Sequence, residues 1–179
     1  MIKYFLLSAS FFCIAGLSNA QVDKIDTDRP DQTESAVLVP KKWIQFEMGF
    51  GKQVNNSTEN EFQHPTLLSK YGISKRFEFR LITTLQTNTD QNNPALKQSN
   101  TGLMPVEIGA KIALWEEHKL LPKTSLIFHV GIPRFASRYY QADHLAPNFR
   151  FTMQHSLSKN IGLGYNVGAE WDGENKEAT

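Results

Sequence analysis

The stretch "YGISKRFEFRLITTL", Tyr71 to Leu85, carries apolar residues at every second position on both sides of a short polar break. Phe77, Phe79, Leu81, Thr83 and Leu85 alternate with Glu78, Arg80, Ile82 and Thr84. A period of two puts successive side chains on opposite faces of a strand, one apolar and one bearing charge. A three-residue turn at Ser74–Arg76 sets Ile73 opposite Phe77 and Tyr71 opposite Phe79, apolar on apolar. A two-residue turn would set Tyr71 against Glu78 and mix the faces. The stretch therefore predicts an antiparallel hairpin with one apolar face.

The same alternation recurs at Ile44–Phe50, Val106–Leu114, Leu126–Ile132, Phe149–Met153 and Ile161–Trp171, with a weaker strand over Thr66–Ile73. This gives seven strands, and no segment of helical period matches them in strength. "SLSKNIGLGY" (156–165) echoes "GISKRFEFRL" (72–81), with a further short link near residue 116 midway between them. A three-residue turn at Ser158–Asn160 would set Leu157 opposite Ile161 and Met153 opposite Tyr165. Short turns alternate with longer polar stretches over Lys52–His64, Gln86–Gly102 and Pro133–Asn148, which read as solvated loops.

Two architectures fit: a soluble sandwich, and an antiparallel up-and-down transmembrane β-barrel with its apolar face in lipid. Three features favour the barrel. The polar face is rich in glycine, at Gly49, Gly51, Gly109, Gly131, Gly162, Gly164 and Gly168, as a narrow lumen with long charged side chains requires. Its charges balance, with Glu47, Glu78, Glu107 and Glu170 against Lys70, Arg80, Lys111 and Arg150. Short turns alternating with long loops match periplasmic turns and external loops. Trp43, Trp115 and Trp171 near strand ends add partial support. Seven is an odd number, and "DGENKEAT" at the end reads as the start of another loop, so the barrel domain (43–179) is expected to be incomplete at its C-terminus.

Residues 1–20 read as a secretory signal peptide, with Lys3, an apolar run and a cut after Ala20. The only cysteine, Cys13, falls inside it, so the chain from Gln21 has no disulfide framework and no thiol nucleophile. Removing Lys3 leaves 18 basic residues against 18 acidic ones, and this balance argues against nucleic acid as a partner. Residues 21–42 are expected to be a periplasmic N-terminal segment. Val37 and Val39 would lead into the wall, while Asp28, Arg29, Asp31 and Glu34 would enter the lower lumen as a partial plug.

The elements "TDRPDQTES", "VPKKWIQFEMGF" and "YGISKRFEFRL" carry a resemblance. The chain resembles the MetA-pathway of phenol degradation family, whose members are often labelled transporters. The Asp28–Ser35 element is the most specific part, and the Tyr71–Arg80 hairpin follows. The resemblance implies a Gram-negative outer-membrane, porin-like barrel that passes small hydrophobic, sometimes aromatic, molecules, and it implies further strands. The expected partners are outer-membrane lipid and such a solute.

Other chemistries find less in the residues. His64, His118, His129, His144 and His155 show no metal-ligand spacing, and no cofactor is expected. His155 and Ser156 point to opposite faces, so no catalytic residue is assigned, although a triad assembles in space rather than in sequence. A lipid-modifying barrel enzyme, a plugged structural barrel and a soluble periplasmic β-sandwich stay open as alternatives. The lumen charges are the leading selectivity candidates, set against a merely structural pairing role. Arg134, Arg138, Tyr139 and Tyr140 could gate a mouth or form an ordinary surface loop.

Overall fold

A computed structural model describes residues 26–28, 33–54, 59–90 and 98–174. The proposed signal peptide, together with Arg29 and Asp31 of the proposed plug, lies outside the described residues. The chain folds as one antiparallel sheet of β1 (Ile44–Val54), β2 (Glu59–Gly72), β3 (Phe77–Asp90), β4 (Gln98–Leu103), β5 (Val106–Trp115), β6 (Lys123–Ile132), β7 (Ala146–Ser158) and β8 (Ile161–Glu170). The wall runs β1-β2-β3-β5-β6-β7-β8 and curls into a half-barrel seven strands wide.

The eighth strand corrects the loop reading of Gln86–Gly102. β3 continues to Asp90, and β4 pairs with that extension, Leu85 to Leu103 and Asp90 to Gln98. β5 pairs with the lower part of β3, Phe77 to Ile112 and Ile82 to Glu107. β4 and β5 thus occupy one lane, broken at Met104–Pro105. β1 and β2 likewise extend into the stretch read as loop, to Val54 and from Glu59. These extensions are mostly polar, with only isolated apolar residues such as Val54 and Phe62, so no sustained alternation marked them.

The hairpin register is as expected at the first turn: Tyr71 faces Phe79, and the N–H groups of Ile73 and Ser74 both donate to the Phe77 carbonyl at 3.0 Å. At the second turn Met153 faces Tyr165, but Ser158 rather than Leu157 faces Ile161. A bulge between Ser156 and Ser158 absorbs one residue, so the turn shortens while the faces stay in register.

Burial is inverted relative to a water-soluble protein. Glu78, Arg80 and Lys111 are 0% exposed, whereas Ile44, Phe46 and Phe50 are 60%, 66% and 74% exposed. The buried apolar residues among the described ones are few: Ala36, Val39, Leu68 and Ile127. They sit with the charges on the concave side. The strand pattern sends long aliphatic and aromatic side chains outward, and the chain's own polar groups fill the inside.

Candidate functional site: a charged concave face crossed by the N-terminal segment

The concave face brings together polar positions from four neighbouring strands. Glu47 comes from β1, Lys70 from β2, Glu78 and Arg80 from β3, and Lys111 from β5. In the registers, Lys70 lies opposite Arg80, cation beside cation, and Glu78 lies opposite Lys111, so the Lys70–Arg80 rung needs acid from elsewhere. Acid and base side by side in a site shielded from water strengthen each other, provided every ion finds a partner.

The partner for much of this set is the N-terminal segment. Asp28 Oδ2 accepts from Lys70 Nζ at 2.9 Å and from Arg80 Nη1 at 3.1 Å. Its Oδ1 accepts the Ser35 N–H at 2.9 Å and faces Lys111 Nζ at 3.6 Å. The Asp28 N–H donates to Glu47 Oε2 at 3.0 Å, and Glu47 also pairs with Lys70. Burial alone would raise the Asp28 carboxyl; Lys111, Arg80 and Lys70 outweigh it and hold the group well below the usual carboxylate range.

Glu34 is the second acid carried in by the segment. It takes Arg80 Nη2 at 2.8 Å and lies 3.5 Å from Arg150 Nη1. The Asn166 amide on β8, oriented so that both its groups are paired, accepts the Glu34 N–H at 2.7 Å and donates to its carbonyl at 3.2 Å. The segment therefore spans the concave face from β1 to β8.

Further along, Ser125 Oγ donates to the Ala36 carbonyl at 2.7 Å, and the Val39 N–H donates to Glu78 Oε2 at 2.6 Å. Val39 thus packs inside the lumen and not into the wall, a correction to the expected path of the segment. The crossing at Gly72 has no room for a side chain: a Cβ there would lie 2.2 Å from the Pro40 carbonyl oxygen. Lys42 follows with φ 69°, and its N–H donates to the Gly72 carbonyl at 2.6 Å.

Three of the expected lumen charges stand away from this hub. Arg150 reaches Glu34 and lies 3.9 Å from Glu170, whose side chain is largely exposed. Glu107 is linked to the hub by a relay. Arg80 Nε donates to His129 Nε2 at 3.2 Å, His129 Nδ1 meets Asn148 Oδ1 at 3.2 Å, and Asn148 Nδ2 donates to Glu107 Oε2 at 3.1 Å. The bond from Arg80 requires a lone pair on Nε2, so neutral His129 carries its proton on Nδ1. His129 and Asn148 were missed as site residues; the signal available was their place on the polar face, directly opposite each other in β6 and β7.

At the long-loop end, the segment after β6 folds onto the β3–β4 hairpin. Ser137 exchanges two hydrogen bonds with Leu103, N–H to carbonyl at 2.9 Å and N–H to Oγ at 2.8 Å. The Tyr140 hydroxyl accepts the Asn88 N–H at 3.2 Å and lies 2.9 Å from the Asn100 carbonyl. Arg134, Arg138 and Tyr139 stay exposed. His155 lies against Tyr165, ring centroids 6.1 Å apart, while the Ser156 N–H donates to Glu117 at 2.7 Å.

The family model described as "Putative MetA-pathway of phenol degradation" matches residues 27–179. The chain belongs to this family. The match begins at Thr27, so for this phenol-degradation family member the matched region takes in the docked segment as well as the wall. No curated protein and no solved structure matches the chain.

Proposed function

We propose that this chain builds the wall of an outer-membrane β-barrel whose lumen is a passive passage for small hydrophobic molecules, closed by residues 26–40. The observation that carries the reading is the inverted burial: fully buried Glu78, Arg80 and Lys111 inside an exterior of exposed Ile44, Phe46 and Phe50. Water would penalise that exterior, and lipid would not. Family membership and the curled sheet support the same reading.

The open edges fit it too. Seven antiparallel lanes leave β1 and β8 running in the same direction, each with one neighbour. Unpaired edges are costly in lipid, so in the membrane they are joined by further strands, odd in number. A second copy related by a two-fold along the membrane normal would set β8 parallel to β1 of its mate, which an up-and-down barrel does not use.

Heat-modifiable migration of the full-length protein from outer-membrane fractions tests the wall; recovery only in a soluble fraction would overturn it. Deleting residues 27–35 tests the plug. The deletion should raise conductance in planar bilayers and the entry of benzyl alcohol into liposomes. The density of ion pairs on Asp28 favours a second reading, a permanently plugged structural barrel. In that case the intact protein passes no solute under any condition, and only the deletion conducts.

A further inference from the structure

The docked segment carries acid to the part of the wall where cations are in excess. Around Asp28 the wall contributes Lys70, Arg80 and Lys111 against Glu47 and Glu78, and the segment supplies Asp28 and Glu34. We infer that Lys70, Arg80 and Lys111 form a binding site for the carboxylate of a small organic acid, and that Asp28 is a tethered stand-in which fills this site in the closed state. The inference rests on the passage reading above and narrows its solute from hydrophobic molecules to hydrophobic acids.

The geometry is that of a carboxylate receptor. Three cations from three adjacent strands converge on one carboxylate, with Lys70 and Arg80 sharing Oδ2 at 2.9 and 3.1 Å. The fit on the remaining side is incomplete. Lys111 Nζ is fully buried, lies 3.6 Å from Asp28 Oδ1 and has no hydrogen-bond partner among the described residues. A buried ammonium is normally hydrogen-bonded, and a pairing that served the fold alone would use its donors. Asp28 cannot come closer, because its Oδ1 is held by the Ser35 N–H in the same segment. A free carboxylate has no such tether and can engage Lys111 and Arg80 together.

The surroundings select an apolar body for that acid. Ile127 is the cross-strand partner of Lys111, and Leu68 stands two residues from Lys70 on the same face; both are buried on the concave side that the segment crosses. When the segment leaves, it removes Ala36 and Val39, so Leu68 and Ile127 are uncovered beside the cations. Charge and apolar surface then face the lumen together, which suits an aromatic or aliphatic acid better than an inorganic anion.

The test uses the full-length protein from Gln21 onward in detergent; residues 21–179 carry no cysteine, and any cysteine beyond them is replaced by serine. An environment-sensitive dye on Thr33→Cys reports departure of the segment. Benzoate should shift its emission saturably, while benzyl alcohol and inorganic phosphate at equal concentration should not. Asp28→Asn should tighten benzoate binding about tenfold by removing the built-in competitor, and Lys111→Met should weaken it about as much. No shift with benzoate, or equal shifts with benzyl alcohol or phosphate, would overturn the assignment. The dye measurement retains the native cluster, so it decides the matter even if Asp28→Asn does not fold. Benzyl alcohol entry into liposomes reads the passage separately: entry without a benzoate shift sinks the acid site alone, and a benzoate shift without entry of either solute sinks the passage alone.

Discussion

Gly72→Ala should release the N-terminal segment while leaving the wall intact. An added Cβ would stand 2.2 Å from the Pro40 oxygen and 2.5 Å from the Val39 oxygen. Both atoms are backbone, so no side chain can swing aside; the segment must withdraw by about 1 Å to reach ordinary contact, at an overpacking cost of about 1–3 kcal/mol. The same withdrawal stretches the 2.6 Å bond from the Val39 N–H to Glu78 past hydrogen-bonding reach. A bond to a charged acceptor contributes about 1.5–3 kcal/mol. Docking should therefore weaken by about 2.5–6 kcal/mol, roughly a 10²- to 10⁴-fold shift toward the undocked state. Planar-bilayer conductance should rise, and trypsin should cut within residues 27–42 more readily. Gly162→Ala on the same face of β8 is the control, since a Cβ there meets its nearest atom at 3.6 Å. Unchanged conductance and unchanged cleavage in folded Gly72→Ala would refute the plug.

The wall, the loop and the acid hub give further expectations. Phe46→Lys should cost about 2–4 kcal/mol if Phe46 faces mid-bilayer, visible as a smaller folded band on heat-modifiability gels; a water-soluble fold would not notice a change at so exposed a position. Tyr140→Phe removes the hydroxyl that meets Asn88 and Asn100, so amide exchange over residues 133–145 should quicken with a local loss of about 1–2 kcal/mol, while conductance of the plugged wild-type lumen stays as it was. Asp28 has a depressed folded-state pKa, so its contribution is present above the ordinary value of 3.8 and is lost only as pH falls through the lower folded value. Conductance should stay low from neutral pH down to 3.8 and rise only in stronger acid. Opening near pH 6 would point to another titrating group.

Much of the site could be read from alternation alone. Glu78 and Arg80 share a face because they are two residues apart in a strand, and Lys111 joins them because β5 repeats the pattern. Period two reports faces directly, so the inside of the wall was visible before any pairing was known. An entry of Asp28 and Glu34 among the polar-face charges was expected from their charge and their place before β1. The remainder depended on relations that one-dimensional pattern does not carry. β4 and the upper part of β3 have polar residues on both sides, so the periodic signal ended while the strand did not. The bulge at Ser156–Ser158 changed one turn without changing a face. The path from Arg80 through His129 and Asn148 to Glu107 crosses three strand boundaries, and only the sheet order sets those residues in line. Val39 looked like wall because it is apolar, yet its N–H answers a buried carboxylate.

The depth of the Asp28 network also bears on the medium around the cell. Salt weakens pairs that its ions can approach, over a Debye length of about 8 Å at 0.15 M, and acts far less on pairs shut away from water. Asp28, Lys70 and Arg80 are 0–3% exposed, unlike the Lys123–Glu116 pair at the rim. A lumen closed by such contacts would hold equally in dilute water and in brine, and would yield to a competing molecule rather than to osmotic circumstance.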